Sequence, residues 1–224
     1  MATCPDISFA VGRLASVLDC HRPEHWTAGL CVLRYLKGTQ SLRLVLGGTS
    51  RLSLSGYSDS DYANCPDTSR SVGGYCFSLG SGVISWRSKK QEHAGDSLCY
   101  AEYIALHAAS QEAVFLRELL QELQFLKSDL DGCTPTPIYC NNEAANRISQ
   151  EAVWHSNTKH FRIKYHSIRD NVREGLIRVA QIPSAENLSD VLTKPTSRAT
   201  FCQMRSLLGL YNPAGEEHRA QEEP

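Results

Sequence analysis

A chain of 224 residues, 42% hydrophobic and 21% charged, has the composition of a globular protein large enough to bury a core. A net charge of -1 neither demands nor forbids a nucleic-acid partner. Nine cysteines include no Cys-x2-4-Cys pair of the kind structural zinc needs, and no apolar run approaches the ~18 residues of a membrane span. With no secretory signal, the odd thiol count predicts free cysteines in an intracellular protein, cytoplasmic or nuclear and not secreted.

In chain order, "PDISFAVGRLASVLD" spaces Ile7, Val11, Leu14 and Leu18 as one helix face. "PEHWTAGLCVLRYLKG" does the same with Trp26, Leu30, Leu33 and Leu36, opening on Pro23 and closing on Gly38. A strand is expected over Leu42 to Leu46, ended by Gly47 and Gly48. From Leu52 the pattern turns to β: "LSLSGYSDSDYA" alternates into an acidic loop, and "GGYCFSLGSGVISWRSKK" reads as a hairpin turning at Gly80-Ser81-Gly82. A long helix follows, about Tyr100 to Leu123, with Ile104, Ala108, Phe115, Leu119 and Leu123 on one face. Then come a strand at 136–140, a helix, a basic helix from Arg162 to Glu174, the strand "LIRVAQIP", and helices from Glu186 and Arg198. The polar tail from 211 to 224 reads as disordered. Three strands, then helix, strand, helix, strand and helix, predict an α/β domain whose mixed sheet is covered on both faces.

Four polar positions stand out on this scaffold. Asp59 ends the first core strand, Glu102 lies in the first turn of the long helix, Asn141 ends the strand "PIYC", and Asp190 opens a late helix. Each has an ordinary explanation alone, since acids favour helix N-termini and strand-end loops. Together they form the kind of set, drawn from separate elements, that holds a pair of divalent cations for phosphoryl transfer.

The blocks "GYSDSDYA", "SRSVGGYCFSLGSGVISWRSKKQ", "AEYIALHAASQEAVFLRELL", "PIYCNNEAA", "HSNTKHFRIKYHSIRDNVREG" and "NLSDVLTKP" resemble, in order and spacing, the ribonuclease H domain of copia-type retrotransposon polyproteins. The resemblance runs from about Leu52 to Leu210, and the residues before it resemble the end of the reverse transcriptase that precedes that domain. It implies a helical remnant over 1–48 and, over 49–210, a ribonuclease H-like domain with a five-stranded mixed sheet. It further implies hydrolysis of the RNA strand of an RNA–DNA hybrid using two Mg2+ ions, with Mn2+ as a substitute. The four family acids fall on Asp59, Glu102, position 141 and Asp190, with Asp59 bridging both ions. The third block normally reads Tyr-Cys-Asp-Asn, so Asn141 replaces a metal-binding carboxylate. The family's Ser-Thr-Glu-Ala-Glu block also reads Leu98-Cys99-Tyr100-Ala101-Glu102, without its first Glu. The Tyr-x-Asp-Asp polymerase motif is absent, so the reverse transcriptase body is expected to be missing and no polymerase activity is expected. The competing expectation is an inactive retroelement remnant that at most binds nucleic acid.

Other candidates carry weaker signals. Lys159, Arg162, Lys164 and Arg169 are expected to offer a basic face to hybrid phosphates, which gives affinity without sequence choice. A solvated basic helix explains them equally well. His155, His160 and His166 fit no zinc spacing, and His93 is either a proton shuttle or a surface histidine. Trp86 beside Arg87, Lys89 and Lys90 is either a substrate edge or core, and Asp61 is an outer acid beside Asp59.

Overall fold

Residues 54–90 alternate between two faces and fold back twice, the second time at Gly80-Ser81-Gly82, giving three antiparallel strands: β2 (Leu54–Asp61), β3 (Val72–Leu79) and β4 (Gly82–Lys90). Before them stand α1 (Ser8–Ala15), α2 (Pro23–Gly38) and the short β1 (Arg43–Leu44). After them come α3 (Leu98–Glu122), β5 (Thr136–Cys140), α4 (Glu143–Gln150), α5 (Arg162–Arg173), β6 (Ile177–Gln181), α6 (Arg198–Leu207) and β7 (Leu210–Tyr211). The structure is a computed structural model and describes residues 3–47, 52–63, 65, 68–92, 97–123, 134–150 and 162–212.

The main sheet has the order β4-β3-β2-β5-β6, with β5 parallel to both β2 and β6. This is the five-stranded mixed sheet expected of a ribonuclease H-like domain. Adjacent residues of β3 serve opposite faces. Tyr75 and Phe77 pack under α3 and α5 with Leu106, Leu116, Ile138 and Ile168. Cys76 faces the other way, into a core with Leu192, Met204 and Leu208. Phe77 lies across Gly56 on β2, where an added Cβ would stand 2.4 Å from the ring, so this strand pair closes only over a glycine.

The long helix forms where expected, but its buried face differs. Phe115, Leu119 and Leu123 are exposed, while Ala101, Ala105, Leu106, Ala109, Ala113, Leu116 and Leu120 are buried. Small residues at four-residue spacing let the helix axis approach the sheet closely, and that stripe outcompetes the larger side chains beside it. The helix expected from Glu186 is instead two 3-10 turns, Ser184–Glu186 and Leu188–Leu192, separated by the extended backbone of Asn187, whose side chain caps the second turn by accepting from the Ser189 N–H.

The N-terminal helices pack on the domain, though thinly. Trp26 and Leu33, expected on the packing face of α2, are exposed. Tyr35 of α2 donates a 2.5 Å hydrogen bond to Asp6 and accepts one of 3.2 Å from Arg205 on α6. β1 pairs with β7 in a separate two-stranded sheet, so residues before 48 share a sheet with residues past 208. Among the described residues no helix is long and apolar enough to cross a membrane.

Candidate active site

The parallel register of β2 and β5 aligns Ser58 with Cys140, so Asp59 and Asn141 are the next residues along two neighbouring strands. Asp59 is buried inside β2 and not in a loop. Glu102 comes to the same end from the first turns of α3, whose N-terminus is capped by Ser97 accepting from the Tyr100 N–H at 3.2 Å. Gln91 fastens that turn to β2: its Nε2 donates to the Ala101 carbonyl at 2.8 Å and to Ser60 Oγ at 3.3 Å. Asp190 arrives on the second 3-10 turn. This turn presses on β3, where a Cβ added to Gly74 would lie 2.8 Å from Thr193 Cγ2 and 2.9 Å from Leu192 Cβ.

Three of the four expected residues thus meet. Asp59 and Asp190 lie within hydrogen-bonding reach of each other, and both interact electrostatically with Glu102. Thr193 donates through Oγ to Asp59 Oδ2. Lys194 places Nζ 2.9 Å from Asp190 Oδ2 and 3.7 Å from Asp59 Oδ2. Burial first, then the Asp59 charge, pushes the Glu102 carboxyl up to about 9, against the opposing pull of Lys194 and the Ser60 N–H. Burial and Asp59 also raise the Asp190 carboxyl, with Lys194 opposing. The cluster therefore holds fewer negative charges at neutral pH than its residue types suggest.

Asn141 stands apart in its contacts. Its Nδ2 donates to Ser184 Oγ at 3.3 Å, while its Oδ1 is buried without a hydrogen-bond partner. Glu102 Oε2 and Asp190 Oδ1 are likewise buried and unpartnered. An all-oxygen set with such orphaned atoms fits a hard divalent cation. Among the described residues, however, no three His, Cys, Asp or Glu side chains form a ready-made metal group. The cation that does touch two of the acids is the Lys194 ammonium.

Of the remaining candidates, Lys159, His93, His155 and His160 lie outside the described residues, as does the expected tail from 213 onward. Arg162, Lys164 and His166 fall on α5 with their side chains outside the described part. Arg169 of the same helix is buried, not part of a solvent-facing row. Trp86 packs against the core beneath α6, and Asp61 lies close enough to act on Lys194. Sequence reasoning passed over Gln91, Asn187, Thr193 and Lys194. Only Lys194 left a signal, its four-residue spacing from Asp190.

Over 95% of its length the chain is 36% identical to the retrovirus-related Pol polyprotein from transposon TNT 1-94 of Nicotiana tabacum. Over 93% it is 39% identical to that from transposon RE1 of Arabidopsis thaliana. The chain belongs to the copia-type retrotransposon Pol polyproteins. It spans 15% and 14% of the length of those two polyproteins. No family model matches it. Among solved structures it is similar to the ribonuclease H1 of Halobacterium salinarum NRC-1, with 18% identity, 63% of this chain and 94% of that one covered, and a TM-score of 0.44.

Proposed function

We propose that this segment of the polyprotein is a ribonuclease H that cleaves the RNA strand of an RNA–DNA hybrid, slowed by Asn141. The observation that carries the reading is the meeting of Asp59, Glu102 and Asp190 from a strand, a helix and a turn, with buried oxygens that no protein donor satisfies. Asp59, Glu102 and Asp190 would hold divalent metal, Mg2+ or Mn2+, with Asn141 supplying only a neutral amide oxygen. Bound metal supplies charge for the attacking water and for the leaving oxygen. The chain's own part is to aim the carboxylates: Thr193 orients Asp59, Gln91 fixes the turn bearing Glu102, and Asn187 seats the turn bearing Asp190. Basic side chains, Lys159, Arg162 and Lys164 among them, would bind phosphates without reading sequence.

The second reading is a hybrid-binding protein without cleavage. It is favoured by the Asn141 amide turning to Ser184. A labelled hybrid incubated with Mg2+ or Mn2+ separates the two. Cleavage of the RNA strand that Asp59→Asn abolishes supports the first. Salt-sensitive binding with no cleavage in either metal supports the second.

A further inference from the structure

Lys194 is the unusual member of the carboxylate cluster. It follows the turn that carries Asp190, pairs back to that residue, and reaches across to β2 to touch Asp59. Its side chain is 32% exposed, so it enters the cluster from the solvent side. The contacts divide the oxygens unevenly. Asp59 Oδ2 takes both the Thr193 hydroxyl and the ammonium, and Asp190 Oδ2 takes the ammonium, while Asp190 Oδ1 and Glu102 Oε2 take nothing. Two aspartates this close repel when both are ionised, and a cation beside them relieves that repulsion. An ammonium has three donors and no lone pair, so it satisfies carboxylates but can never be a ligand of a metal.

We infer that Lys194 is the resident counter-ion of this site, holding Asp59 and Asp190 together and competing with a divalent cation for them. The inference rests on the metal-dependent reading above. A divalent ion shared by Asp59 and Asp190 would sit against the ammonium, and like charges at that range repel strongly in a partly buried site. The lysine must then withdraw along its flexible, solvent-reaching stem. Metal binding becomes an exchange of one cation for another, and the metal-free protein keeps its acidic end folded.

Lys194→Met keeps the stem and removes the charge; Lys194→Arg keeps the charge; Asp59→Asn removes a proposed ligand. Mn2+ binding by titration calorimetry, and unfolding midpoints in chelator and in Mn2+, read all four proteins. The Lys194→Met variant should bind Mn2+ ~10-fold or more tightly than the parent, since a repelling charge is gone. It should also unfold earlier in chelator and gain more from Mn2+, while the Lys194→Arg variant stays near the parent. Unchanged or weaker Mn2+ binding by the Lys194→Met variant, with binding still lost in Asp59→Asn, overturns the competition and leaves the metal site standing. If neither the parent nor the Lys194→Met variant binds Mn2+ at millimolar concentration, the metal reading itself falls and the inference falls with it.

Discussion

Asn187 donates through Nδ2 to the Ser58 carbonyl at 3.0 Å, tying the turn before Asp190 to the strand residue before Asp59. The same amide accepts from the Ser189 N–H at 3.2 Å and from the Ser189 hydroxyl at 2.6 Å, all within a fully buried site. One side chain thus sets the spacing of two acids far apart in the chain. Asn187→Ala should lower unfolding free energy by about 1–3 kcal/mol, the cost of orphaning buried polar partners. Its Mn2+ affinity should fall as well, because Asp190 loses its seat. Urea unfolding and titration calorimetry check both, and intact metal affinity would deny Asn187 its positioning role.

On the proposed metal-dependent reading, Asn141→Asp supplies a charged two-oxygen ligand in nearly the same volume. Magnesium is strict about its oxygen shell, and even outer-shell losses cost ~10–100-fold, so hybrid cleavage in Mg2+ should rise by ~100-fold or more. The unfolding midpoint in chelator should drop slightly from added charge repulsion. Equal cleavage by both proteins would show that position 141 does not bind metal.

Stability of the metal-free protein should depend on Glu102. Burial pushes its carboxyl up to about 9 in the fold, against ~4.3 when unfolded. Between these values the native state holds a proton that the unfolded state has released. Stability therefore falls as pH rises through the window, by up to ~1.4 kcal/mol per pH unit for one group. Asp190, also raised, adds the same sign at the acid end. Asp59, Asp190, Lys194 and the Ser60 N–H all face this carboxyl, and its Gln replacement removes its titration. Urea unfolding of the parent and of Glu102→Gln at pH 6, 7 and 8 in chelator should show the flatter dependence in the variant. Parallel lines would mean that Glu102 is already ionised in the native state.

Two glycines should respond to alanine with opposite signs. At Gly74 the new methyl would collide with Thr193 and Leu192, displacing the Asp190 turn at about 1–3 kcal/mol. At Gly29 of α2 nothing lies within 4 Å, so alanine should stabilise the helix by about 0.5–1 kcal/mol. Thermal unfolding of the two variants checks both. A harmless Gly74→Ala would mean that the turn does not press on β3.

The strands were legible because alternation reports which face is buried, and Thr136–Cys140 falls where "PIYC" predicts it. Asp59, Glu102 and Asp190 could be picked out because they recur as blocks of a known pattern. What failed depended on packing or on distant partners. The α3 face was misjudged because the large residues Phe115 and Leu119 lose to a run of alanines that fits the sheet. The turn at Leu188 was misread because periodicity cannot see that Asn187 is extended and caps a separate turn starting at Leu188. The reach of Lys194 to Asp59 crosses most of the domain in sequence, and no local pattern encodes it.

The pairing of Arg43 with Tyr211 has a consequence for how the protein is made. A ribosome releases β1 long before β7 exists, so the small sheet that unites the two segments closes only near the end of synthesis of this stretch. Until then the helices ahead of β1, with Trp26 and Leu33 facing water, also lack the Arg205 anchor for Tyr35. The nascent chain therefore carries an apolar, unclasped segment through most of the time this domain takes to emerge. That interval widens the opening for chaperone capture or misassociation of this region, since Trp26 and Leu33 stay exposed in the finished fold as well.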